Sequence, residues 1–97
     1  MVEHMIIFKF SPETTTEQID ECIHRLQDLK NHVPGIIDIV AGHNFSSRSQ
    51  GYELGLTVRF ENRAALDAYG PHPKHQECVQ FMASVGRQDA IAVDFEF

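Results

Sequence analysis

The sequence predicts an α+β fold: one four-stranded antiparallel sheet with its helices on a single face. Three observations lead there. The apolar residues change spacing in the order strand, helix, strand, strand, broken helix, strand. The stretch GYELGLTVRF, Gly51 to Phe60, alternates cleanly. Tyr52, Leu54, Leu56, Val58 and Phe60 take one face; Glu53, Gly55, Thr57 and Arg59 take the other. That is the pattern of an antiparallel strand with one covered side. The opening strand, HMIIFKF at His4 to Phe10, is apolar on both sides. Helices on a single face would cover only one of them, so the second face asks for another sheet, most simply that of a second copy.

Each element follows from its own residues. Ile and Phe make His4 to Phe10 a strand, and Ser11-Pro12 ends it. One side holds His4, Ile6, Phe8 and Phe10; the other holds Met5, Ile7 and Lys9. Ile19, Cys22, Ile23, Leu26, Leu29 and Val33 then recur at helical spacing. Thr15 with Gln18 fits a capping box, and Pro34-Gly35 closes the helix. Gly35 to Phe45 reads as a strand, and Asn44 to Gln50 as a polar loop. Asn62 caps a short helix, Arg63 to Tyr69, in which Leu66 and Tyr69 share a face. Tyr69-Gly70-Pro71-His72-Pro73 breaks the helix, and Pro73 opens the next. There His75, Cys78, Val79, Met82 and Val85 form one stripe, which Gly86 ends. Asp89 to Phe97 is the last strand, with Ile91, Val93, Phe95 and Phe97 on one face. This β-α-β-β-α-β order is the ferredoxin-like plan, filled by residues 1–97 as a single domain.

Composition narrows the function. Eight basic against fourteen acidic residues give a net charge of -6, and the basic ones stand singly. Nucleic acid and anionic membrane are poor partners for such a surface. No run of eighteen apolar residues and no signal-peptide pattern is present, which points to a soluble, cytoplasmic protein. Cys22 and Cys78 fall on apolar stripes and read as reduced, buried thiols. No phosphate-binding glycine loop and no GxSxG elbow occurs.

The chemistry on offer lies at YGPHPKHQ, Tyr69 to Gln76. His75 and Tyr69 both face inward, each a polar group aimed at a core. They either hold each other and the kink in place, or they form a general base and a phenol at the end of a pocket. Histidine titrates near neutrality, and a phenol can steady a developing enolate. His4, on the inward face of the first strand, would line the same cavity. His72 and His75 lack a third metal ligand at a fixed spacing, so no metal site is expected.

The blocks HMIIFKF, VPGI, GHNFSSRSQGY, VRFENRAALDAYGPHPKHQ and VDFEF together resemble the stress-responsive dimeric α+β barrel family. The resemblance covers nearly the whole chain. It implies ferredoxin-like protomers that pair their sheets into one barrel, as a homodimer. A plant member of that family is a cofactor-free cyclase that folds a linear polyketide thioester by aldol condensation. Its base histidine and assisting tyrosine fall on His75 and Tyr69, and a pocket histidine falls on His4. A further pocket histidine is replaced by Leu54. The expected pocket is therefore lined by His4, Leu54, Leu56, Cys78 and Met82, with His75 and Tyr69 catalytic and no cofactor. The expected ligand is a small hydrophobic carbonyl or polyketide-like compound. Two other readings stand beside it: a non-catalytic, stress-related homodimer, and a cofactor-free or heme-handling monooxygenase, which such barrels also host. The absence of tryptophan and of an axial-ligand context speaks against the last.

Overall fold

The computed structural model describes residues 1–97. Strand β1 (Val2–Phe10) leads into helix α1 (Thr16–Asp28) and a 3-10 turn, Leu29–Asn31. Strands β2 (Ile36–His43) and β3 (Tyr52–Phe60) follow, then helices α2 (Arg63–Tyr69) and α3 (Pro73–Ser84), and strand β4 (Arg87–Glu96). The sheet runs β2-β3-β1-β4, and every neighbouring pair is antiparallel. The ferredoxin-like fold expected from the sequence is the fold observed.

The local signals act as their chemistry dictates. Thr15 Oγ1 accepts from the Gln18 amide at 3.2 Å, and Gln18 Oε1 accepts from the Thr15 amide at 2.9 Å, completing the capping box. Asn62 Oδ1 accepts from the Ala65 amide at 2.9 Å and starts α2. Boundaries shift by a few residues. β1 begins at Val2 because β3 and β4 supply partners that far. β2 stops at His43, since Asn44 turns its side chain onto the Tyr52 carbonyl, and Phe45 stands wholly exposed in the loop. β4 starts at Arg87, directly after Gly86, whose φ of +110° a side chain would strain.

One face of the sheet meets the helices. Leu54, Leu56, Val58 and Phe60 of β3 and Phe8 and Phe10 of β1 are buried against Ile19, Cys22 and Leu26 of α1 and Cys78 and Met82 of α3. The opposite face has no cover from within the chain. Met5, Val40, Ile91, Val93 and Phe95 all stay exposed there. No helix is long and apolar enough to cross a membrane.

Both cysteines are free and buried. Burial pushes the Cys22 thiol up to about 11 and raises that of Cys78 as well. A thiol held protonated is a poor nucleophile. Native protein should therefore label slowly with a thiol reagent, and both positions should react at once in denaturant; rapid labelling of native protein would contradict the placement.

Candidate active site

The site is built on a broken helix. α2 ends at Tyr69, and Gly70 caps it. Pro71 and Pro73 follow and have no N–H to give. The Gly70 carbonyl is served by side chains instead. His75 Nδ1 donates to it at 2.8 Å and Gln76 Nε2 at 2.7 Å. His72 spends its own Nδ1 as the acceptor that caps α3, taking the Lys74 amide at 3.1 Å. It serves the entry to the helix, as its place before Pro73 suggests.

The bond to Gly70 fixes the chemistry of His75. A carbonyl only accepts, so Nδ1 carries the hydrogen, and the lone pair of the neutral ring sits on Nε2. Burial lowers the pKa of His75, the Gly70 carbonyl partly opposes this, and His4 and His72 lower it further. The ring is therefore neutral at pH 7, with Nε2 available as a base.

Tyr69 lies against it, with ring centroids 4.2 Å apart. Phe60 and His4 flank the phenol at 5.1 and 6.1 Å. Tyr69 is 2% exposed, and its hydroxyl has no hydrogen-bond partner among the protein's own atoms. Burial raises its pKa far above the ordinary phenol value, so it remains a donor at all working pH values. The two residues do not lock the kink by bonding to each other: His75 bonds Gly70, and the Tyr69 O–H bonds no other protein group.

Tyr69, His75 and His4 form the polar wall of a cavity of about 140 Å³. Leu56 and Met82 line it as the sequence suggests. Leu54 and Cys78 do not. Leu54 is fully buried beneath the helices, and Cys78 turns toward α1, its thiol 3.5 Å from the Arg25 carbonyl. Neighbours on a helix point about 100° apart, so the α3 stripe is wider than the cavity, and Val79 takes the place expected of Cys78. Arg87 and Ala90 of β4 also line the space, and His4 Nδ1 forms a hydrogen bond with Asp94, its direct partner across β1 and β4. Sequence reasoning missed these three. The alternation of β4 places Ala90, Ala92 and Asp94 opposite its apolar face, but without the register that side reads as solvent. A neutral imidazole base, a protonated phenol and an Asp-oriented histidine around one apolar space can remove a proton beside a carbonyl and stabilise the enolate that results.

Comparison with known proteins identifies the family and the fold. The family described as the stress responsive A/B barrel domain matches residues 2–97, and the chain belongs to it. Olivetolic acid cyclase of Cannabis sativa is 30% identical over 76 residues, which cover 76% of this chain and 75% of the cyclase. A dimeric ferredoxin-like protein of unknown function from Jannaschia sp. CCS1 superposes with a TM-score of 0.81 at 29% identity, covering 99% of this chain and 98% of that one. An Arabidopsis thaliana protein gives 0.87 at 23% identity, covering 99% and 94%. The hydroxynitrile lyase of Passiflora edulis gives 0.82 at 16% identity, covering 97% and 90%, a likeness of fold.

The unpartnered phenol yields a sharp expectation. A buried hydroxyl without a partner costs about 1–3 kcal/mol. Tyr69→Phe removes it and leaves the ring, so the variant should melt higher, by roughly 4–8 °C per kcal/mol in a domain of this size. A fall in melting temperature would show that the hydroxyl is bonded in solution.

His75 gives a second expectation, with its sign fixed. Its pKa is lower folded than unfolded. The stability held by the neutral ring is fully present above about pH 6.5, the unfolded value, and is lost as pH falls toward the folded one. Denaturant midpoints of wild type and His75→Gln, compared between pH 7.5 and 5, should show the steeper acid loss in wild type. Parallel curves would overturn the assignment.

Proposed function

We propose that this stress responsive A/B barrel protein is a homodimer, each subunit of which binds a compact hydrophobic carbonyl compound between α2, α3 and the sheet. We further propose that it acts there as a cofactor-free enzyme of the cyclase or lyase type. The observation that carries this reading is the Tyr69 hydroxyl, buried and unpartnered, beside an imidazole whose Nδ1 is already committed to Gly70. A purely structural pair would satisfy its own polar atoms. This one leaves a donor and a lone pair for a third party.

In the reaction, His75 Nε2 takes the proton from the carbon beside the carbonyl. The C–H electrons become the enolate, and Tyr69 O–H donates to its oxygen. In ring closure the enolate carbon bonds a second carbonyl carbon of the same molecule, and the alkoxide formed takes the proton back from His75. In the lyase direction the same steps run in reverse. His4, oriented by Asp94, lines the same space and packs its ring beside the phenol. The similarity to olivetolic acid cyclase supports the cyclase direction. The cavity, about 140 Å³, is near the size that admits benzene, so the part of the substrate held here is about one ring in bulk. Two buried free thiols suit a reducing compartment such as the cytoplasm.

The competing reading is a non-catalytic, stress-related homodimer, favoured by an exposed apolar sheet face that needs no chemistry to explain it. Turnover separates the two. A panel of ring-sized aldehydes, ketones and short polyketide thioesters, assayed beside thermal melts, should give activity that His75→Ala lowers by about 10²–10⁴-fold. Tyr69→Phe should lower it while folding survives. Equal turnover or binding in all three proteins would defeat the enzyme reading.

A further inference from the structure

Arg87 reaches the cavity through an irregularity in the sheet. β1 pairs with β4 residue against residue from Val2 and Glu96 to Lys9 and Asp89. There the register slips: Phe10 pairs with Arg87, and Gln88 is passed over. Strict alternation would set Arg87 on the outer face with Asp89 and Ile91. The slip turns it to the inner side instead, beside Phe10, which is buried there. A bulge of this kind commonly re-aims one side chain next to a functional site.

The arginine so placed is half-buried at the cavity and has no acidic partner. The chain has eight basic residues. Arg25, Arg59, Arg63 and Lys74 stand in ion pairs, and Lys9 lies over the Tyr52 ring. Lys30 and Arg48 are exposed to water. Asp89, the nearest acid along β4, already takes the Tyr52 hydroxyl at 2.7 Å. In a chain of net charge -6, Arg87 is thus a basic group drawn partly out of water with nothing to neutralise it. A charge in that position costs stability unless something pairs with it.

Its place in the cavity says what that partner would be. Arg87 pairs with Phe10, and His4, which packs beside Tyr69, is six residues away on β1, roughly 20 Å of strand. The side chains close part of that span, since both line one space. Between them the walls are apolar: Ile6, Phe8, Val79 and Met82. We infer that Arg87 receives a carboxylate carried by the ligand, so that the compound bound is a keto acid. Its carbonyl lies at the Tyr69 and His75 end, its carboxylate at the Arg87 end, and a short apolar stretch joins them. A guanidinium is a planar fork that meets a carboxylate through two parallel hydrogen bonds. Arg87 is then a specificity-determining residue, remote from the bond that reacts. The inference rests on the ligand reading above, and the test separates the two.

The probes are 5-oxohexanoate and its methyl ester, alike in shape and different in charge. Their binding is measured by calorimetry, and exchange of the hydrogens beside the ketone for deuterium is followed by NMR. Wild type should bind the acid at least ~10-fold more tightly than the ester, as a charge-assisted pair gives. In Arg87→Gln that ratio should fall toward one, while the melting curve stays cooperative. Arg87→Lys keeps the charge without the fork and should give a ratio in between. Equal affinity of wild type for acid and ester, or a ratio that Arg87→Gln leaves intact, would overturn the inference. Exchange that His75→Ala abolishes would in that case still support the enzyme. An acid preference that depends on Arg87, with no exchange, would support the carboxylate site and defeat the enzyme reading. Binding of neither probe at millimolar concentration would overturn both. Should Arg87→Gln fail to fold, Arg87→Met takes its place and is judged by the same ratio.

Discussion

The Gly70 carbonyl is the constraint on which the site depends. Two prolines around His72 break what would be one long helix and remove the backbone donors that a helix end normally finds. The carbonyl left behind recruits His75 and Gln76. That single repair has three consequences. It ties the start of α3 back to the end of α2. It sets the hydrogen of His75 on Nδ1 and the lone pair on Nε2. And it brings the imidazole ring to 4.2 Å from Tyr69, the last residue of the helix that was broken. A helix stop and a base of defined tautomer arise from the same hydrogen bond.

Three features run against stability within one subunit. Tyr69 buries a hydroxyl that no protein group partners. Gly42 and Gly55 sit in strand interiors without a backbone reason. Ile91, Val93 and Phe95 expose apolar area to water. Departures from local rules collect where a protein meets something else. The first fits a ligand with an acceptor oxygen; the other two suit the homodimer proposed above. The enzyme reading and the homodimer reading thus rest on different atoms, and one can fail without the other.

Much of this was legible in the sequence, for reasons that also mark the boundary. Alternation in GYELGLTVRF and the three-to-four spacing of α1 are set by burial against a core, so each element and its inward face could be read off. The caps at Thr15, Asn62 and Pro73 are local chemistry and were equally plain. Tyr69 and His75 were visible because a polar group on an apolar stripe is conspicuous. Asp94, Arg87 and Ala90 were not, because their inward direction follows only from β4 lying antiparallel beside β1, a long-range fact. Leu54 and Cys78 erred the other way. They are inward, but inward is wider than the cavity, and only packing separates the residues under α1 from those facing Tyr69.

β1 and β4 serve both faces of the sheet at once. His4 and Asp94 meet on the inner side, while Met5, Phe95 and Val93, their neighbours in sequence, point outward. A strand has period two, so whatever fixes one face fixes the other. β4 is an edge strand with little cover from the helices, and it supplies Arg87 and Ala90 to the cavity as well as Asp94 to His4. An uncovered edge is the part of a sheet that opens most readily. Docking a second copy on the outer face of β4 would hold that strand in register and with it one wall of the cavity. On this view the apolar outer face is more than a means of association. It keeps the polar inner wall in place.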